Sequence, residues 1–149
     1  MGIARTAPGA ARLPDGRVLI AGGYDGSDEL ASAEIFDPQT NSFSSAGVGS
    51  MAQKRSDLIA APLPDGRVLV AGGFADGQAL NSAEVFDPQT NSFGSAGIGS
   101  LGAARGDASG VALQDGRVLV AGGYGTDFLQ TAEIYSATNT FASRSAARP

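Results

Sequence analysis

Three arginines, Arg5, Arg55 and Arg105, recur at intervals of 50 residues, and Asp57 and Asp107 follow the second and third of them by two positions. A guanidinium is a permanently charged fork of donors that suits carboxylates and anionic sugars, so such a set could bind an acidic peptide or glycan. The blander expectation is that Asp57 and Asp107 neutralise their arginines in surface pairs of little energetic weight. Glu34, Glu84 and Glu133 recur as well. Paired carboxylates can act as acid and base only where a cleft holds them within about 10 Å of each other. The chain contains no histidine and no cysteine. The commonest general base, the commonest metal ligand, thiolate nucleophiles and disulfides are all missing, so most hydrolase, oxidase and zinc-enzyme chemistry lacks its central residue. The residues point to binding, with no catalytic residue, no cofactor and no metal assigned. Asp25-Gly26-Ser27-Asp28-Glu29 has oxygen donors suited to calcium. Its counterparts Ala75-Asp76-Gly77-Gln78 and Gly125-Thr126-Asp127-Phe128 do not keep the spacing, and no calcium site is expected.

The elements that must position these residues are written three times. LPDGRVLIAGGY at Leu13 to Tyr24 returns as LPDGRVLVAGGF at Leu63 to Phe74 and as LQDGRVLVAGGY at Leu113 to Tyr124. Such a period means one supersecondary unit repeated, and such units cannot bury their apolar faces alone. Arg17 to Tyr24 is apolar on both alternating faces, which predicts a strand covered above and below, and Arg67 to Phe74 and Arg117 to Tyr124 repeat it. A weaker strand precedes it, clearest at Leu58 to Leu63 and Ser109 to Leu113, through an Asp-Gly turn that favours a hairpin. A third strand follows at Ala33 to Phe36, Ala83 to Phe86 and Ala132 to Tyr135. The DPQTN segments at Asp37 and Asp87 then read as turns, and a short polar fourth strand opens at Phe43, Phe93 or Phe141. Four antiparallel strands per unit, polar at the rim, make an all-β propeller blade. Blades that fan outward would hold the three glutamates apart, so these are expected to be structural, paired with Arg17, Arg67 and Arg117.

Length and charge narrow the partners. At 149 residues the chain has one domain's worth of material, and a net charge of -5 argues against nucleic acid. No apolar run approaches the roughly 20 residues of a membrane span. Met1 to Pro14 has no continuous apolar stretch of a secretory leader.

Across essentially its whole length the chain resembles the kelch-repeat family. The likeness rests on Gly22-Gly23, Gly72-Gly73 and Gly122-Gly123 after the second strand, on the aromatics Phe36, Phe86 and Tyr135 in the third, and on Phe43, Phe93 and Phe141 opening the fourth, where tryptophan is commoner. The glycines are read as close packing at the hub rather than a phosphate cradle, because no helix follows them. The resemblance implies kelch blades at about residues 3–50, 53–100 and 103–149, and an arginine lead-in to the innermost strand at one mouth of the central channel. Arg148 would be a fourth such arginine, in a tail, Ser145 to Pro149, that resembles the lead-in of another blade. Some relatives are copper oxidases or sugar epimerases, but the oxidase needs the histidines and cysteine that are missing. The third unit has lost one residue before Glu133 and another in Ser136-Ala137-Thr138-Asn139, which puts full pairing of its last strand in question.

Kelch rings usually have six or seven blades, so three blades would leave two apolar faces open, Val18/Ile20 at one end and Leu119/Ala121 at the other. The expectation is a homodimer that closes a six-bladed ring, with a nine-bladed homotrimer second. The chain then reads as a binding or scaffolding module that completes itself, with any ligand at the channel mouth. The alternative is an excerpt of a longer propeller, or an engineered repeat with no evolved ligand, since AEIFDPQTNSF and AEVFDPQTNSF differ at one position.

Overall fold

The computed structural model describes residues 1–136 and 138–144. In the first unit β1 (Gly9–Arg12) and β2 (Val18–Ala21) form an antiparallel hairpin with Gly9 opposite Ala21 and Arg12 opposite Val18. Its turn closes because the Leu13 N–H donates to the Arg17 carbonyl at 2.8 Å and Gly16 takes a φ of 91°, which side chains disfavour. β3 (Ala33–Asp37) pairs with β2, and β4 (Ser42–Ser44) with β3. The Asp37 carboxylate shapes the turn between them by accepting the Gln39 N–H at 2.8 Å, and Asn41 supplies the left-handed residue with φ 52°.

The second unit repeats the plan with β5 (Ile59–Pro62) and β6 (Val68–Ala71). A two-stranded ribbon, β7 (Phe74–Ala75) and β8 (Gln78–Ala79), projects before β9 (Ala83–Asp87) and β10 (Ser92–Gly94). In the third unit, β11 (Ser109–Ala112), β12 (Val118–Ala121), β13 (Ala132–Tyr135) and β14 (Phe141–Arg144) make the third four-stranded sheet. Despite the two lost residues, β14 pairs along all of β13, with Ala132 opposite Arg144 and Tyr135 opposite Phe141. Ala137 and Ser145 to Pro149, including Arg148 and the expected lead-in of a further blade, lie outside the described residues.

The long strand expected from Arg17 to Tyr24 is shorter in the structure. It stops at Ala21 because Gly22 (φ 67°) and Gly23 (φ 98°) leave the ladder, which resumes only as a bridge between Tyr24 and Thr6. A Cβ at Gly22 would fall on the Arg55 carbonyl oxygen of the next blade, so this is a place of close backbone approach.

The three sheets stack face to face. Leu19, Ala21 and Ile35 of the first blade pack on Val68, Val70 and Phe86 of the second. Leu69, Ala71 and Val85 on the other side of the second blade pack on Val118, Val120 and Tyr135 of the third. Burial follows: all four residues of β6 are buried, whereas in β2 only Leu19 and Ala21 are, and in β12 only Val118 and Val120. Each fully buried Val or Leu contributes roughly 1.5–3 kcal/mol. The partly open residues, Val18 and Ile20 at one end and Leu119 and Ala121 at the other, form the two terminal faces. β1, β5 and β11 lie side by side as the innermost strands, linked by the Asp57 N–H to the Ala7 carbonyl (2.9 Å) and the Asp107 N–H to the Asp57 carbonyl (3.1 Å).

Candidate functional site

Each repeated arginine lies just before an innermost strand, and its side chain turns into its own blade. Arg55 Nη1 donates to the carbonyls of Gly72 at 2.8 Å and Ser82 at 3.1 Å, while Nη2 reaches Ser82 Oγ at 3.2 Å and Glu84 Oε1 at 3.1 Å. Arg105 repeats this with Gly122, Thr131 and Glu133 (Nη2 to Oε1 2.9 Å), and Arg5 with Gly22, Ser32 and Glu34 (3.0 Å). All three arginine side chains are 0% exposed. The carboxylates are equally occupied: Glu84 also accepts the N–H groups of Ala52 (2.8 Å) and Gln53 (3.2 Å), and Glu34 those of Gly2 and Ile3. Burial pushes the Arg55 guanidinium below its ordinary pKa against the pull of Glu84. Burial acts to raise the Glu34 carboxyl, but the Gly2 N–H and Arg5 outweigh it and hold it below the usual range.

Three expectations are corrected by this geometry. The arginines pair with Glu34, Glu84 and Glu133, not with Asp57 and Asp107, because the lead-in aims the side chain down the blade rather than along the chain. Enclosed and committed to these partners, Arg5, Arg55 and Arg105 brace the lead-in and present no cationic ring to an acidic peptide or glycan. Nor do the glutamates pair with Arg17, Arg67 and Arg117. Those arginines sit at the opposite end of the sheet and bind the aspartate two residues earlier, as in Arg17 Nε to Asp15 Oδ2 at 2.8 Å.

At the end of the innermost strands the backbone presents a row of equivalent residues, Ala7, Asp57 and Asp107, all left-handed with φ of 49°, 52° and 52°. Aspartate tolerates this conformation better than most side chains. Asp57 accepts a hydrogen bond from Ser56 Oγ at 2.8 Å. The Asp107 carboxyl is pushed above its ordinary pKa, first by partial burial and then by the neighbouring Asp57 charge. A second row lies beside the first. Tyr24, Phe74 and Tyr124 follow the glycine pairs and bridge to Thr6, Ser56 and Gly106. The Phe74 ring covers Gly106, where a Cβ would collide with it, and its centroid is 6.5 Å from that of Tyr124, which is 5.4 Å from Phe128. The sequence carries a signal for this row, an aromatic after every glycine pair, which lies inside the stretch expected as strand. The aromatics of the repeat signature pack within their blades instead, Phe36 on Phe43, Phe86 on Phe93 and Tyr135 on Phe141, each pair 4.9 Å between centroids.

Asp28, Glu29 and Asp76 converge, but on a charge the chain supplies itself. Lys54 Nζ lies 2.6 Å from Asp28 Oδ1, 2.6 Å from Asp76 Oδ1 and 3.7 Å from Glu29 Oε2. The Asp28 hydrogen bond, then that of Asp76, raises the lysine's pKa. At the far end of the first two blades, a cleft of about 340 Å³ is lined by Asp15, Asp65, Arg67 and Asp87 among others. Asp65 and Arg67 bind each other across it at 2.7 Å.

A family model described as "Kelch motif" matches residues 5–47 and 59–93, just over half of the chain. No curated protein matches it.

Proposed function

The chain belongs to the kelch-motif family, and from that membership we propose that it is a β-propeller binding and scaffolding module that completes its ring with a second copy of itself. Kelch repeats build β-propellers, and the all-β chain of four-stranded antiparallel sheets fits that architecture. One observation carries the closure. Across the seam between blades one and two the Gly23 N–H donates to the Arg55 carbonyl at 2.9 Å, and across the next seam the Gly73 N–H donates to the Arg105 carbonyl at 2.9 Å. Among the described residues the Gly123 N–H meets no carbonyl, and the equivalent carbonyl not used in this way belongs to Arg5.

Exposure supports the same reading. Met51 and Leu101, which lie in seams, are 4% and 2% exposed, while Met1 at the same position of blade one is 57% exposed. Ala11 and Ala61 are 6% and 1% exposed, and Val111 at their position in blade three is 55% exposed. A copy of blade one set against blade three would bury both sets and satisfy the backbone, as each internal seam does. Two chains close six blades about a two-fold axis, and three chains would close nine with a smaller rotation per blade. Any ligand of the ring would sit at the channel mouth formed by Ala7, Asp57 and Asp107.

Light scattering under native conditions tests the reading. A mass of two chains is the expected result, three chains would favour the nine-bladed ring, and a stable monomer would overturn closure.

A further inference from the structure

The closure proposed above leaves open how blade three recognises blade one of a second copy, and the inference below rests on that closure. In the seam between blades one and two, the loop after the glycine pair meets the lead-in of the next blade through Lys54, whose Nζ lies 2.6 Å from Asp28 Oδ1 and 3.7 Å from Glu29 Oε2. Glu29 bridges to Tyr24 and precedes Leu30, whose N–H donates to the Gly23 carbonyl at 2.8 Å. Phe128 holds that place in blade three: it bridges to Tyr124 and precedes Leu129, whose N–H donates to the Gly123 carbonyl at 2.9 Å. On the other side of the seam Lys54 directly precedes Arg55, and the residue directly before Arg5 is Ala4.

The two seam positions therefore carry Glu29 and Lys54 between blades one and two, Ala79 and Ala104 between blades two and three, and Phe128 and Ala4 where the ring would close. Phe128 is 83% exposed, the most exposed large apolar side chain among the described residues, and Met1 and Ile3 beside Ala4 are 57% and 41% exposed. Repeat equivalence thus brings an exposed aromatic and an exposed aliphatic segment to opposite sides of one seam. Alanine at position 4 leaves room for a ring where a lysine stands in the first seam.

We propose that Phe128 of one copy packs on the Met1 to Ala4 segment of a second copy and is the specificity-determining contact of the closing seam. The ion pair of the first seam and the alanine pair of the second give way to an aromatic ring on an aliphatic segment, so the closing seam differs from both internal ones. The second copy supplies the residues without which this site is incomplete.

Sedimentation equilibrium on the full chain tests this with Phe128→Glu, alone and combined with Ala4→Lys. Because Phe128 is so exposed in the single chain, the variant should fold with unchanged circular dichroism, and Ile3→Glu serves as a second probe from the other side. Both single variants are expected to weaken self-association about tenfold or more, the loss of one central apolar contact. Adding Ala4→Lys to Phe128→Glu sets a lysine against Asp127 and position 128, the counterparts of Asp28 and Glu29 around Lys54, so it should recover most of the association and make it weaken as salt is raised. A parent chain that does not associate would overturn the ring itself. A parent that associates with a constant unchanged in Phe128→Glu and Ile3→Glu would overturn this contact and leave the ring standing. Weakening without recovery in the double variant would overturn the pairing of Phe128 with Ala4.

Discussion

Nη2 of Arg55 lies 3.1 Å from Oε1 of Glu84, 29 residues further along the chain, and the two side chains are 0% and 4% exposed. Removing one partner strands the other charge in the interior. Arg55→Ala is therefore expected to cost about 3–5 kcal/mol in urea unfolding, whereas replacing both residues with methionine should cost less, because no unpaired charge remains.

Asp107 makes stability depend on pH. Its carboxyl holds its proton more tightly folded than unfolded, so ionisation works against the folded state. The folded form is favoured at low pH, and that advantage is lost as pH rises through the ordinary value of 3.8 toward the raised folded one. Asp107→Asn, which keeps a side chain tolerant of the left-handed backbone, should melt at the same temperature as the parent near pH 3 and higher than the parent at pH 7.

Gly72 and Gly122 are equivalent, yet their substitutions should differ. A Cβ at Gly72 falls on the Arg105 carbonyl oxygen, while one at Gly122 has its nearest described neighbour, the Leu129 carbonyl oxygen, at 3.8 Å. Both carry left-handed φ, 64° and 68°, which alone costs a side chain about 1–2 kcal/mol. Gly72→Ala should exceed that cost in chemical denaturation of the single chain. Gly122→Ala should stay within it but abolish self-association, because the partner's backbone would need the same space.

Lys54 joins the loops of blades one and two through Asp28 and Asp76. These groups lie in solvent, so Lys54→Ala should lower the melting temperature slightly at low ionic strength. The difference should vanish near 1 M salt, where the screening length is about 3 Å.

Strand plan and seam chemistry were unequally legible in the sequence. The alternation of Val18, Leu19, Ile20 and Ala21 and the DG and DPQTN turns act locally, so they announced the sheets with little error. The partners of Arg55 and Arg105 are not legible in the sequence because the carboxylate two residues on, Asp57 or Asp107, is not the one each arginine binds. Asp57 and Asp107 sit in left-handed backbone and are not the carboxylates that Arg55 and Arg105 bind, and the glutamates of the third strand come into reach only once the sheet has formed. The row of Tyr24, Phe74 and Tyr124 is not legible in the sequence because an aromatic at a strand end reads as core, and only the structure shows the glycine pair before it breaking the ladder.

Arg55 and Arg105 each serve two blades, the side chain fastening the arginine's own blade and the carbonyl oxygen receiving an N–H from the preceding one. A blade is thus finished only by the arrival of its successor, and the chain has a growth polarity. On a ribosome the first blade would wait for Arg55 and the second for Arg105, so folding would advance like a zip from the amino end.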